Sequence, residues 1–285
     1  MDKLNVTFHT PGNGLSQYIN CMVEIRGTPY KEAMRNFPVI KSELVVNLME
    51  TPFQGTSGAT GQQDECRRFT LRGIQTGWYE VMAGEGLHIF VINFKPEAYQ
   101  MIFGLPADEM TDQNVEADLC MAELDILWYK LMEAQTPEQR FFITEQWVTS
   151  RVADSRHQIK PVFYWLKEQI SISPATRLNE LARYSGYSRQ NLYSLFKKQM
   201  GVSIKLYMEI CRLKMILSDM QKNNFPNLAA LGYRYHFYDQ NHFVKSFRRH
   251  TGLTPSQLQA QTIRILNHNQ SIYADKDEDT ALEQL

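Results

Sequence analysis

A block of sequence near the C-terminus is written twice. Phe196-Lys197-Lys198-Gln199-Met200-Gly201-Val202-Ser203 returns as Phe247-Arg248-Arg249-His250-Thr251-Gly252-Leu253-Thr254, and upstream Leu181-Ala182…Gly186-Tyr187 is answered by Leu231-Gly232…His236-Phe237. Each copy reads as helix, tight turn, helix, with a basic last turn closed by glycine, the residue that most readily ends a helix in the left-handed conformation. A helix-turn-helix used twice is the simplest account of such a duplication.

The charge distribution points the same way. The 285-residue chain has a net charge of −1, yet residues 156–260 hold 16 Lys and Arg against 5 Asp and Glu, a net of +11, leaving 14 basic and 26 acidic residues, a net of −12, elsewhere. A basic segment beside an acidic remainder implies that one part meets a polyanion and the other does not. The length suits about two domains, and the 43% apolar and 12% aromatic content is that of a folded protein. No apolar run reaches the ~20 residues of a bilayer span, and the polar opening around Asp2 predicts no leader, so a cytoplasmic protein without membrane contact is expected. Cys21, Cys66, Cys120 and Cys211 lack metal or disulfide-scaffold spacing, which suits a reducing compartment and calls for no metal or cofactor. Cys66 beside Arg67 and Arg68 is either an ordinary thiol or a redox-sensitive one.

Residues 1 to about 95 have the texture of strands. The segments 17–25, 43–48 and 87–94 alternate or are rich in β-branched residues, and glycine-containing turns at 11–14, 55–61, 77 and 84–86 separate them, the pattern of a small antiparallel barrel or sandwich. Two amphipathic helices are expected next, over Val115–Met132 and from Pro137 to about Val152. Their apolar surface either covers a sheet face or packs against a twin. Ala153 to His157 reads as a linker, and everything beyond is helix-like. Val162, Trp165, Leu166 and Gln169 share one predicted face. Leu206, Ile210, Leu213, Leu217 and Met220 form a 4-3-4-3 seam down a longer helix, and a polar acidic tail follows.

The second helix of each unit must present polar side chains to a major groove. In the first copy Ser188 is the expected cap, Leu192, Leu195 and Phe196 face inward, and Gln190, Asn191, Tyr193 and Ser194 are left to read bases, with Arg189, Lys197 and Lys198 for phosphates. The second copy has Asp239 as cap, Phe243 and Phe247 buried, Gln240, Asn241, Val244 and Lys245 as base readers, and Arg248 and Arg249 on phosphates. The readers differ, so the two units should meet different half-sites, about 34 Å apart if they enter successive turns of one groove face.

The run Leu181-Ala182…Ser188…Leu192…Phe196-Lys197…Gly201…Ser203…Tyr207…Arg212-Leu213…Phe237…Phe243…Phe247-Arg248…Gly252-Leu253-Thr254-Pro255 resembles the DNA-binding domain of AraC/XylS-type transcriptional regulators. That resemblance spans about residues 158–260 and implies seven helices, two helix-turn-helix units and a connecting helix. Three residues depart from the family pattern: Gly232 stands for alanine, His236 for glycine before Phe237, and Ile216 for alanine. Upstream, Val91 to Pro96 followed by Gly104 to Asp112 is similar to a segment of one AraC-type subgroup with a poorly characterised N-terminal domain.

The expected fold class is multidomain α+β: residues 1–152 an N-terminal antiparallel β-barrel or cupin-like sensor or dimerisation domain with a helix pair, 153–157 a linker, 158–262 an all-α domain with two helix-turn-helix units, and 263–285 a tail. The expected function is a sequence-specific transcription regulator whose partner is double-stranded DNA, with a small-molecule effector, a second copy of the chain, and RNA polymerase (for an activator) as further candidate partners. An effector-independent architectural DNA binder is the alternative. An enzyme is not expected, because neither a phosphate-binding glycine loop nor a Gly-x-Ser-x-Gly or His-Glu-x-x-His motif occurs. Phe53, Trp78, Tyr79 and Phe90 either line an effector pocket or are plain core, and His88 reads as a satisfied core histidine.

Overall fold

The computed structural model describes residues 5–12, 14–27, 34–82, 86–117, 121–174, 176–222 and 227–260. Ten strands, β1 (Asn5–His9), β2 (Ile19–Gly27), β3 (Met34–Asn36), β4 (Ser42–Asn47), β5 (Phe53–Ser57), β6 (Gln63–Cys66), β7 (Phe69–Arg72), β8 (Tyr79–Met82), β9 (Leu87–Phe94) and β10 (Asn114–Glu116), form two antiparallel sheets. One runs β1-β2-β9-β4-β7-β10 and the other β3-β8-β5-β6. The pleat sends alternate residues to opposite faces, and in β9 both faces are buried. Leu87, Ile89 and Val91 meet Val23, Val45, Phe53 and Tyr79 between the sheets, while Phe90, Ile92 and Phe94 meet helices on the other side.

Those helices are α1 (Tyr99–Phe103), α2 (Glu123–Glu133) and α3 (Pro137–Asp154). Leu124, Leu127 and Leu131 of α2 and Phe141 and Val148 of α3 close over the sheet, so the pair covers a sheet face and leaves Ile126, Tyr129 and Phe142 exposed on its outer side. Thr136 caps α3 by accepting from the backbone N–H of Gln139, and Pro137 occupies the first turn. The helix expected from Val115 begins at Glu123 instead. Residues 114–116 pair with β7, Val115 opposite Leu71, because an open sheet edge offers this segment hydrogen bonds that its own periodicity does not announce.

Buried charge pins the helix pair to the sheet. Arg140 donates to both carboxylate oxygens of Glu24 (3.1 and 3.2 Å) and to the carbonyls of Leu131 and Ala134 at the end of α2. Glu24 also meets His88 Nε2 at 2.8 Å, so His88 is a satisfied histidine of the sheet. Burial pushes the Glu24 carboxyl up, but the hydrogen bond from His88 and the charge of Arg140 outweigh it and hold the group below its ordinary value.

Beyond α3 the described chain is all helical: α4 (Pro161–Ile172), α5 (Leu178–Ser185), α6 (Arg189–Met200), α7 (Ile204–Lys222), α8 (Leu228–Arg234), α9 (Gln240–Thr251) and α10 (Pro255–Ala260). The buried face of α4 is Phe163, Leu166 and Ile170, one residue round the helix from the face expected. Val162, Trp165 and Gln169 flank it, half-buried. The residues 223–226 and the tail beyond 260 lie outside the described residues. Among the described residues, no helix is long and apolar enough to cross a membrane.

Because the depressed Glu24 carboxyl is ionised in the fold at a pH where the unfolded chain protonates it, its contribution to stability is present above about pH 4.5 and is lost as the pH falls below that value. Glu24→Gln should flatten the acid limb of a stability-against-pH profile. Arg140→Leu leaves the buried Glu24 carboxylate with His88 alone and should cost about 3 kcal/mol at neutral pH in denaturant titrations.

Candidate nucleic-acid interface

The first unit is α5, a turn and α6, resting on α4 and the first half of α7. Gly186 ends α5 at φ +71°, and Ser188 then opens α6 by accepting from the backbone N–H of Asn191. Leu192, Phe196 and Met200 point inward onto Phe163, Leu166, Leu181 and Tyr207, with the Phe196 ring 4.9 Å from Tyr207 and 5.5 Å from Phe163. A fully buried side chain of this kind contributes roughly 1.5–3 kcal/mol, which fixes the rotation of α6 about its axis. Gln190, Tyr193, Ser194 and Lys197 are left as one exposed stripe at i, i+3, i+4 and i+7. Asn191 and Lys198 lie about 100° round the helix from it.

The second unit repeats the construction. Asp239 caps α9 through a 2.7 Å hydrogen bond from the backbone N–H of His242, and Phe243 and Phe247 are fully buried. The equivalent stripe is Asn241, Val244, Lys245 and Arg248, with Val244 half-buried and the others exposed. Gln240 sits at the first position of the helix, opposite Arg189 of the first copy. Both reading helices end alike: Gly201 (φ +80°) donates to the carbonyl of Lys197, and Gly252 (φ +74°) to that of Arg248, each at 2.8 Å. The lysines and arginines of the last turns also complement the negative helix ends.

The three family departures have physical readings. A Cβ at Gly232 would lie 3.3 Å from Phe243, so glycine gives α8 and α9 a few tenths of an ångström of slack. Ile216 is buried in the second core. His236 occupies the left-handed region at φ +59°, where the first copy has Gly186.

One continuous helix carries both units. Ile204, Tyr207 and Ile210 of α7 belong to the first core, and Leu213, Ile216, Leu217 and Met220 to the second; the expected seam is present, with Tyr207 buried where Leu206 is only half-buried. Arg212 spans the two, donating to the carbonyl of Pro174 and lying 5.4 Å from the Phe237 ring centroid. Glu209 lies 3.2 Å from Arg249 and 3.7 Å from His250 Nε2. The neighbouring His250 holds this carboxyl below its ordinary value despite burial, with Arg249 acting in the same sense. Arg249 is therefore engaged by α7, whereas Arg189, Lys197, Lys198 and Arg248 extend from exposed positions.

The N-terminal part touches both units, through Ile74 in the first core and Trp78 against the second. Lys167 of α4 pairs with the buried Glu97, and a cavity of about 250 Å³ lies between β2, β9, α4 and α7, lined by residues including Cys21, Lys41, Asn93, Lys167, Tyr207 and Cys211. The four aromatics considered for an effector pocket do not converge: Phe53 and Tyr79 fill the space between the sheets, Phe90 faces α3, and Trp78 packs against the second helical core. Cys66 is buried between the sheets, which makes it an ordinary core thiol. Among the described residues no cluster of candidate metal ligands occurs.

Tyr184 of α5, Tyr233 of α8 and Tyr238 are exposed, and the sequence pattern does not single them out. Tyr238 is 93% exposed at the turn before α9.

Residues 181–261 match a helix-turn-helix domain family, and residues 7–116 match a domain of unknown function, DUF6597. The transcriptional activator AarP of Providencia stuartii is 24% identical over 98 residues, 34% of this chain and 70% of that protein. The multiple antibiotic resistance protein MarA of Escherichia coli K12 is 27% identical over 120 residues, 40% of this chain and 92% of that protein. Among solved structures, ToxT from Vibrio cholerae aligns over 92% of this chain and 99% of its own, at 11% identity and a TM-score of 0.46. Of these, AarP is by its name a transcriptional activator of the helix-turn-helix type.

His236 in the left-handed region supplies a test of the second unit. His236→Gly should raise stability by about 0.5–1 kcal/mol, since the strain relieved exceeds the added freedom of the unfolded chain. Equilibrium denaturation measures this directly.

Proposed function

Given that this chain belongs to the AraC/XylS-type transcription regulators, we propose that it reads double-stranded DNA sequence-specifically by placing α6 and α9 in successive major-groove segments on one face of the duplex. The observation that carries this reading is the matched pair of exposed stripes, each aimed by two buried aromatic or aliphatic anchors and each ending in a basic turn. Gln190, Tyr193 and Ser194 of the first stripe, with Asn191 beside it, read bases in one half-site, and Asn241, Val244 and Lys245 of the second, with Gln240 beside it, in the other. Glutamine and asparagine suit adenine, and tyrosine and valine suit a thymine methyl. Arg189, Lys197, Lys198, Arg248 and Arg249 hold phosphates, Arg249 more weakly because Glu209 competes for it.

On this reading residues 158–262 are the reader and 1–152 the sensing or dimerising part. The cavity between the sheets and α4 and α7 is the seat for a small-molecule effector, since an occupant there touches both parts. The exposed Ile126, Tyr129 and Phe142 on α2 and α3 offer a surface for a second copy. Work on DNA places the protein in the cytoplasm, and an activating role would add RNA polymerase as a partner. An architectural binder without an effector is the second reading, and the cavity weighs against it. A melting temperature that rises with occupancy in a screen of metabolite pools separates the two.

Selection of bound fragments from a random DNA pool by the full chain should return two dissimilar motifs, and a pool returned without enrichment would contradict the proposal. Gln190→Ala or Lys245→Ala should relax preference at one base pair by about 1–3 kcal/mol. Lys197→Ala should weaken all sequences alike and reduce the slope of binding against salt.

A further inference from the structure

The two reading helices end on the same small region of the N-terminal part. Gly201, closing α6, accepts a 2.8 Å hydrogen bond on its carbonyl from Thr111 Oγ1, and a Cβ there would stand 2.3 Å from the carbonyl oxygen of Ala107. Gly252, closing α9, lies so close to Trp78 that a Cβ would stand 2.3 Å from its indole nitrogen. Two residues earlier, His250 Nδ1 lies 2.7 Å from the carbonyl of Thr76; a carbonyl only accepts, so Nδ1 carries the hydrogen. Equivalent positions of the two repeats thus seat on residues 107–111 and 76–78.

These two N-terminal segments are tied to each other. Asp112 accepts from the backbone N–H and the hydroxyl of Thr76, both at 2.7 Å, and donates its own N–H to the carbonyl of Ile74. Asp112 sits at φ +58°, a left-handed conformation that aspartate adopts more readily than most residues because its short side chain can hydrogen-bond nearby backbone. Ile74 enters the core of the first unit, and Phe37 and Trp78 that of the second.

From this geometry we propose that Thr76, Trp78, Thr111 and Asp112 are positioning residues for DNA reading: without touching DNA, they set the separation and angle of the two reading helices and so the half-site spacing the protein accepts. The inference rests on the two-reader function proposed above. A single shaft such as α7 fixes distance along its own axis but allows each unit to bend and roll about it. Two further attachments, off that axis and on one tied platform, remove those motions. Linked readers bind a two-part site in proportion to the density of the second reader at the second half-site. A braced pair concentrates that density at one spacing, and a loosened pair spreads it over several.

The test uses the full chain, a DNA series in which zero to four base pairs are inserted between or removed from the selected half-sites, and each half-site alone. Wild type should lose about tenfold or more in affinity when the spacing departs from its optimum by two base pairs. Thr111→Val breaks one arm and Trp78→Leu the other. Either variant should flatten that penalty to about threefold or less while binding each single half-site as wild type does, and Thr111→Ser, which keeps the hydroxyl, should restore the narrow optimum. An unchanged spacing profile in both variants overturns the inference, and so does an equal weakening at every spacing and at the single half-sites. A wild-type chain that selects no sequence at all overturns the two-reader function itself.

Discussion

Helix α7 is shared by two hydrophobic cores, and the rest of the reading end depends on that sharing. Its first half is buried with Phe163 and Phe196, its second with Phe243 and Phe247. At 19 residues it is about 28 Å long, of the same order as one helical turn of duplex DNA. Each unit is held by burial to its own half of the shaft, so α7 fixes the separation of the two along its axis. Arg212 and Glu209 reinforce this with polar contacts that reach to either side of the helix.

The aim of each reading stripe follows from burial on the opposite side. Leu192 and Phe196, or Phe243 and Phe247, settle which residues remain exposed, and the caps Ser188 and Asp239 settle where each helix begins. Glycine closes both helices, and its missing side chain also lets the N-terminal part approach the helix end. Position 201 or 252 would need both a left-handed backbone and room beside Ala107 or Trp78, and only glycine supplies both.

Much of the reading end was legible in the sequence because its determinants are local. Caps, closing glycines and the i, i+3, i+4 burial of α6, α7 and α9 lie within a turn or two of the residues they organise, and duplication made them visible twice. Features set by distant partners were not legible. The pairing of Val115 with Leu71, the one-residue rotation of the buried face of α4, and the dispersal of Phe53, Trp78, Tyr79 and Phe90 into three separate surroundings each depend on what packs from elsewhere. The same holds for Thr76 and Thr111, ordinary loop residues until the fold sets them beside helix ends some 90 to 175 positions away.

On the proposed function, two unequal readers meet one duplex as a single body. Hydroxyl-radical footprinting of the full chain on its selected site tests this most directly. Two protected patches on one face of the DNA, about 10 base pairs apart from centre to centre, are the result this account predicts. A single patch, or two patches on opposite faces, would contradict it.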